Sequence, residues 1–152
     1  MSRAFVKDLE DSGGDELPDR PISPHRNYVT AAGLAQIDAE IARLQGEFAA
    51  AGEDRAALAR IARDLRYWHA RHASAEVVPP PAEHTEVRFG STVTIRRDGG
   101  REQTFRIVGE DEADPAKGSL PYVAPLAHAL IGREVGDVVE VAGGEAEIVR
   151  IL

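Results

Sequence analysis

The chain has 152 residues, 43% of them hydrophobic, with only 5% aromatics and no cysteine. That is enough for one ordinary domain or a small domain with an appendage, it requires an aliphatic core, and it excludes disulfides, thiolate metal sites and a cysteine nucleophile. The net charge of -8 argues against non-specific binding to naked DNA, which depends on phosphate neutralisation by Lys and Arg, and permits docking on a basic protein surface.

Residues 1–28 mix Asp8, Glu10, Asp11, Asp15, Glu16 and Asp19 with Gly13, Gly14, Pro18, Pro21 and Pro24. Such a segment buries too little apolar area to offset its ordering entropy, so the expectation is an acidic, disordered or loosely docked tail. The functional alternative is an acidic lure for a basic partner. No apolar h-region and no run near the roughly 18 apolar residues of a membrane span is present, so a soluble, cytoplasmic protein with no membrane contact is expected.

From Thr30 the spacing turns helical. Leu34, Ile37, Ile41, Leu44 and Phe48 form one apolar seam, with Asp38, Glu40, Arg43 and Glu47 off it. Gly52 breaks the run as an αL cap. A second seam, Leu58, Ile61, Leu65, Trp68, His72 and Ala75, follows at once, so residues 29–78 are expected as an antiparallel helical hairpin. Arms of about 20 residues at 1.5 Å per residue would project roughly 30 Å.

The outer face of the second helix carries Arg55, Arg60, Arg63, Arg66 and Arg71. Arginine is a good helix former on a solvated face, but Arg60, Arg63 and Arg71 also form a strip able to contact phosphates. His69 and His72 stand one turn apart with no third ligand in view, which favours a structural role over a metal site. Residues 79–86 open with Pro79-Pro80-Pro81, a semi-rigid linker that stops the helix.

Beyond the linker the apolar period becomes two. Val93 and Ile95 lead into the turn Asp98-Gly99-Gly100, and Thr104–Val108 returns. The acidic turn Glu110–Asp114 precedes a short strand at Leu120–Val123. Pro125 suits the first position of a short helix that Gly132 ends. Val138–Val141 and Ala146–Leu152 form a last hairpin about Gly143-Gly144. Residues 87–152 are thus expected as a small α+β domain, an antiparallel sheet with one short helix covering a face. The acidic turn lacks the spaced oxygen ligands of a calcium loop, so no stable metal site is expected there.

Several of these motifs recur in order in one known family. Phe89-Gly90-Ser91-Thr92-Val93, Phe105-Arg106-Ile107-Val108-Gly109 with Glu110-Asp111-Glu112-Ala113-Asp114, Pro125-Leu126-Ala127-His128-Ala129-Leu130, Val135-Gly136-Asp137 and Gly143-Gly144-Glu145 resemble the C-terminal domain of the bacterial GreA/GreB transcript cleavage factors. The hairpin is similar too, down to Arg66-Tyr67 and Ala75-Glu76-Val77-Val78. The resemblance implies an FKBP-like C-terminal domain that docks at the secondary channel of RNA polymerase, with Asp111, Asp114, Pro125 and Leu126 as docking residues. It implies that the hairpin enters the channel near nascent RNA. The tip acids, Glu53 and Asp54 here, would then help hold a transient Mg²⁺ shared with the polymerase for hydrolysis of backtracked RNA.

The factor would be a monomer, with no cofactor of its own, and an accessory rather than an enzyme. Two departures bear on this. The tip run Gly52-Glu53-Asp54-Arg55 has two adjacent acids where the family has an acid and a later Glu, and adjacent acids also suit any helix N-terminus. Both arms are about a dozen residues short of the family's, roughly 18 Å at helical rise. The alternatives are therefore a non-cleaving, channel-occupying regulator and, from another class, an FKBP-like peptidyl-prolyl isomerase, which has only Phe89, Phe105 and Tyr122 to line an aromatic pocket.

Overall fold

The computed structural model describes residues 16–152; the acidic positions of 1–15 lie outside the described residues. The chain divides into two compact units. One holds residues 36–74, together with the described residues 16–24; the other holds 25–35 and 75–152.

The first unit is built on helix α1 (Ala31–Ala50), from residue 36 onward, and helix α2 (Arg55–Ser74), each helix having 20 residues. The expected seam is realised in its middle. Ile37, Leu44 and Ile61 are buried, and Ile41, Leu58, Leu65 and Trp68 are half-buried. Phe48, at the last turn of α1, departs from it and is 45% exposed. Gly52 adopts φ +60°, the left-handed conformation that lets the turn reverse within 51–54. On the outer face of α1, Arg43 bridges Glu40 and Glu47, the latter at 2.5 Å. Their hydrogen bonds hold the Glu40 carboxyl below its ordinary value and raise Arg43. No described helix is long and apolar enough to cross a membrane.

Residues 16–28, expected as tail, occupy defined positions. Residues 16–24 run along α2. Tyr28–Val29 form a strand, β1, that pairs in parallel with β2 (Glu76–Val77). The amide of Glu76 donates to the carbonyl of Asn27 and that of Val78 to Val29, each at 2.9 Å. Two residues are too few to show a period-two signal, which is why the expected boundary between residues 28 and 29 falls inside this strand.

The second unit carries a five-stranded sheet in the order β5-β4-β3-β7-β6. Its strands are β3 (Thr92–Arg97), β4 (Glu102–Val108), β5 (Ser119–Pro121), β6 (Val138–Val141) and β7 (Gly144–Ile151). The expected hairpins β3–β4 and β6–β7 are antiparallel, as is β3–β7. The sheet is nonetheless mixed, not antiparallel as expected: β5 pairs with β4 in parallel. The link 109–118 contains a 3-10 turn, Pro115–Lys117, and carries the chain back before β5 begins. A tight turn could only have produced an antiparallel neighbour.

Helix α3 (Pro125–Leu130) lays Ala127 and Leu130 on the sheet, both fully buried. They join Val87, Val93, Ile95, Phe105, Ile107, Val139, Ala146, Ile148 and Ile151 in one aliphatic core. Pro125 is at the first helical position, and Ala124, at the N-cap, makes no side-chain cap bond.

Candidate functional sites

The tip of the hairpin presents two acids with different roles. Glu53 is exposed. The Asp54 carboxylate accepts the Ala57 amide at 3.1 Å, so it caps α2 at the N3 position and satisfies one of the orphan donors at the helix start. One of its oxygens is therefore committed to structure.

The arginine strip is divided. Arg60 is exposed, and the half-buried Arg63 lies 3.4 Å from Asp64. Arg71, expected on the same strip, is 1% exposed and is withdrawn as an RNA contact, because a guanidinium enclosed in this way has no open face for a phosphate. His72, expected on the apolar seam, is instead exposed, its Nε2 3.0 Å from the Asp38 carboxylate. Among the described residues no group of three or more His, Asp or Glu is placed to hold a metal ion.

In the second unit, the acidic loop after β4 holds a residue that sequence reasoning passed over. The Glu112 carboxylate accepts the Thr30 amide at 2.9 Å, the Thr30 hydroxyl, and the Gly109 amide at 3.2 Å. The Thr30 hydroxyl oxygen in turn accepts the Gly33 amide at 2.9 Å. Thr30 is thus the N-cap of α1. A capping box would place Glu or Gln at N3, reaching back to the N-cap amide; here N3 is Gly33 and the carboxylate comes from 82 residues further along the chain. A Cβ on Gly33 would fall on the Glu112 carboxylate, and one on Gly109 would lie 2.6 Å from the Tyr28 carbonyl oxygen. The pattern Thr-x-x-Gly before an apolar helix was the available signal: a good N-cap with its usual partner missing.

The docking residues named from the resemblance lie in the same region. The Asp114 side chain accepts the Ala116 amide at 3.2 Å and caps the 3-10 turn, while the Ser119 hydroxyl accepts the Asp114 amide at 2.8 Å. Asp111 is half-buried and Pro125 exposed. Leu126, with Phe105, Pro115 and Leu120, lines a cleft of about 290 Å³. Pro115 from the link and Leu126 from α3 thus line the same cleft.

Three aromatics gather elsewhere in this unit. Tyr28 packs on Phe89 and Tyr122, at centroid separations of 6.1 and 5.4 Å, and the Tyr122 hydroxyl donates to the Arg26 carbonyl. Phe105 is buried in the core. The three residues that an isomerase pocket would need are thus engaged in packing.

Beside them, Arg26 grips Glu76 with two hydrogen bonds, 2.6 and 3.1 Å, and holds its carboxyl below the ordinary value. The depressed folded-state pKa means that the pair contributes above the unfolded value of about 4.3 and that this is lost as pH falls through the folded value. An NMR titration is expected to place the Glu76 midpoint below an ordinary glutamate, and Arg26→Ala to return it. Equal midpoints in the two proteins would remove the pair from the solution structure.

Residues 82–152 match the family model described as "Transcription elongation factor, GreA/GreB, C-term". Transcription elongation factor GreB of Neisseria meningitidis is 34% identical over 136 residues, an alignment covering 75% of this chain and 83% of that protein. The chain belongs to the GreA/GreB family. Transcription elongation factor GreA of Hyphomonas neptunium is 49% identical over 73 residues, which is 45% of this chain and 46% of the relative. The chain thus spans about half the length of the GreA relatives it matches. Among solved structures, GreA factor homolog 1 of Thermus thermophilus aligns with 20% identity and a TM-score of 0.41, covering 84% of this chain and 99% of the other. The GreA/GreB family model takes in the cleft, the acidic loop and α3, and stops short of the hairpin.

Proposed function

We propose that the chain is a Gre-type regulator of transcription elongation that binds bacterial RNA polymerase at the secondary channel. The surface formed by Asp111, Asp114, Pro125 and Leu126 does the docking, and the hairpin enters the channel. The observation that carries this reading is the division of labour in the fold. A family-matched unit carries the capped acidic loop and α3, while a hairpin with 20-residue arms ends in an exposed glutamate.

In this reading Glu53 and the free oxygen of Asp54 meet a cation held mainly by the polymerase. Two oxygens suit a contributor to a hard-cation shell and fall short of the six that a magnesium site fills. When bound, such a cation supplies charge stabilisation and an activated water for phosphodiester hydrolysis. This chain's own residues place the carboxylates: Gly52 turns the chain, and the Asp54 cap fixes the start of α2. Arg60 and Arg63 offer charge to the RNA. The protein acts as a cytoplasmic monomer, as an accessory to the polymerase's chemistry.

The second reading, a channel-occupying regulator that does not cleave, is favoured by one observation: the Asp54 carboxylate already serves as a helix cap. Binding of the full chain to core polymerase, followed by fluorescence, tests what both readings share. Asp111→Asn and Pro125→Ala are each expected to weaken binding about tenfold, the effect of an interface residue worth about 1.4 kcal/mol. Unchanged affinity in both variants would sink the docking assignment.

A further inference from the structure

The segment 16–24 meets α2 on the side of its arginines, and its contacts have an unusual chemistry. The Asp19 carboxylate accepts from Arg66 Nε at 2.6 Å, and the Leu17 carbonyl accepts from Arg66 Nη2 at 3.2 Å. The next residue, Arg20, lays its planar guanidinium over the Tyr67 ring at 3.9 Å, with the Trp68 ring 6.0 Å away. It also reaches the Asp64 carboxylate at 3.3 Å. An anion on an arginine beside a flat cation stacked on an aromatic face reproduces the two contacts that a single-stranded nucleic acid makes with protein, phosphate to arginine and base to aromatic. Besides the enclosed Arg71, helix α2 carries four arginines, Arg55, Arg60, Arg63 and Arg66, against the single acid Asp64 in a chain of net charge -8, so it is the element on which a polyanion would settle.

We propose that Asp19-Arg20 is an internal nucleotide mimic that occupies a single-stranded RNA site formed by Arg63, Arg66, Tyr67 and Trp68. This rests on the reading above in which α2 approaches RNA, and extends it to a face that the chain itself covers. The Asp19 and Arg66 side chains are 74% and 47% exposed. Exposed ion pairs are weak and salt-screened, so the segment can be displaced by a ligand that supplies several phosphates at once.

The isolated full chain tests this without polymerase, so its outcome is separate from that of docking. A fluorescein-labelled oligoadenylate of about 12 nucleotides, a length within single-strand site sizes, is titrated at low salt. The variant Asp19→Asn/Arg20→Ala removes one charge of each sign and leaves the net charge unchanged. It is expected to bind RNA about tenfold tighter, since a site occupied by its own chain most of the time loses apparent affinity by that fraction. Adding Arg66→Ala should remove the gain. Trp68, the only tryptophan, should change its emission when RNA is added to the wild type, toward the emission of the double variant. Equal affinities of wild type and double variant, no RNA binding by either, a gain that survives Arg66→Ala, or displacement of the segment by polyglutamate as effectively as by RNA would each overturn the proposal.

Discussion

Replacing Glu112 with alanine should destabilise the protein by about 3 kcal/mol. Three donors lose their acceptor together: the Thr30 amide, the Thr30 hydroxyl and the Gly109 amide. A part-buried donor left without a partner costs about 1 kcal/mol or more, and the three lie too close to water for the upper end of that range to apply. For a chain of this size the loss corresponds to a drop in Tm of roughly 6–12 °C. Glu112→Gln, which keeps one acceptor oxygen, is expected to lose about half as much. The location of the damage is as informative as its size. Amide exchange should accelerate at Thr30, Gly33 and Gly109, while the strands β3 and β7 keep their protection in the folded state. A loss under about 0.5 kcal/mol, the range of ordinary surface substitutions, would mean that the carboxylate does not cap α1 in solution.

The second large effect concerns the tip. Stalled elongation complexes incubated with the full chain are expected to lose the 3′ segment of their RNA, and the variant Glu53→Gln/Asp54→Asn to do this about 100-fold more slowly, comparable to removing one preorganised charge-stabilising group from an active site. Asparagine is chosen at 54 because its side-chain oxygen still accepts the Ala57 amide, a cap whose removal by alanine would itself cost about 1 kcal/mol. Polymerase affinity should be the same for both proteins, which separates chemistry from docking. Equal cleavage rates would remove the tip from the mechanism. A wild type that binds and does not cleave would select the channel-occupying reading.

Much of the fold was legible because it follows from period and punctuation. The seams of α1 and α2 stand at three and four, Gly52 turns the chain, and the two β hairpins have glycine-rich turns; each of these is a local signal. The contacts that escaped are between residues far apart in sequence. Glu112 sits among three other acids in an acidic run, and nothing local marks it as the one that caps a helix 82 residues away. The parallel pairing of β5 depends on a link that looks, residue by residue, like a turn. Arg71 is spaced like its exposed neighbours, and only the fold shows that it is enclosed. The docking residues came from order and resemblance, and the structure adds that the Asp114 side chain is already used in capping its own turn.

The parallel pair β1–β2 has a consequence for how the hairpin can vary. Tyr28 lies opposite Glu76 and Val29 opposite Val77, so the chain leaves for the hairpin and comes back at neighbouring points of the same unit. Nothing in that pairing refers to what happens between them. Adding or removing matched heptads from α1 and α2 would leave β1, β2, Thr30 and Glu112 in register, much as a tool shank accepts bits of different reach. Arm length is then a free parameter of this architecture, adjustable by insertion or deletion without redesign of the part that holds it.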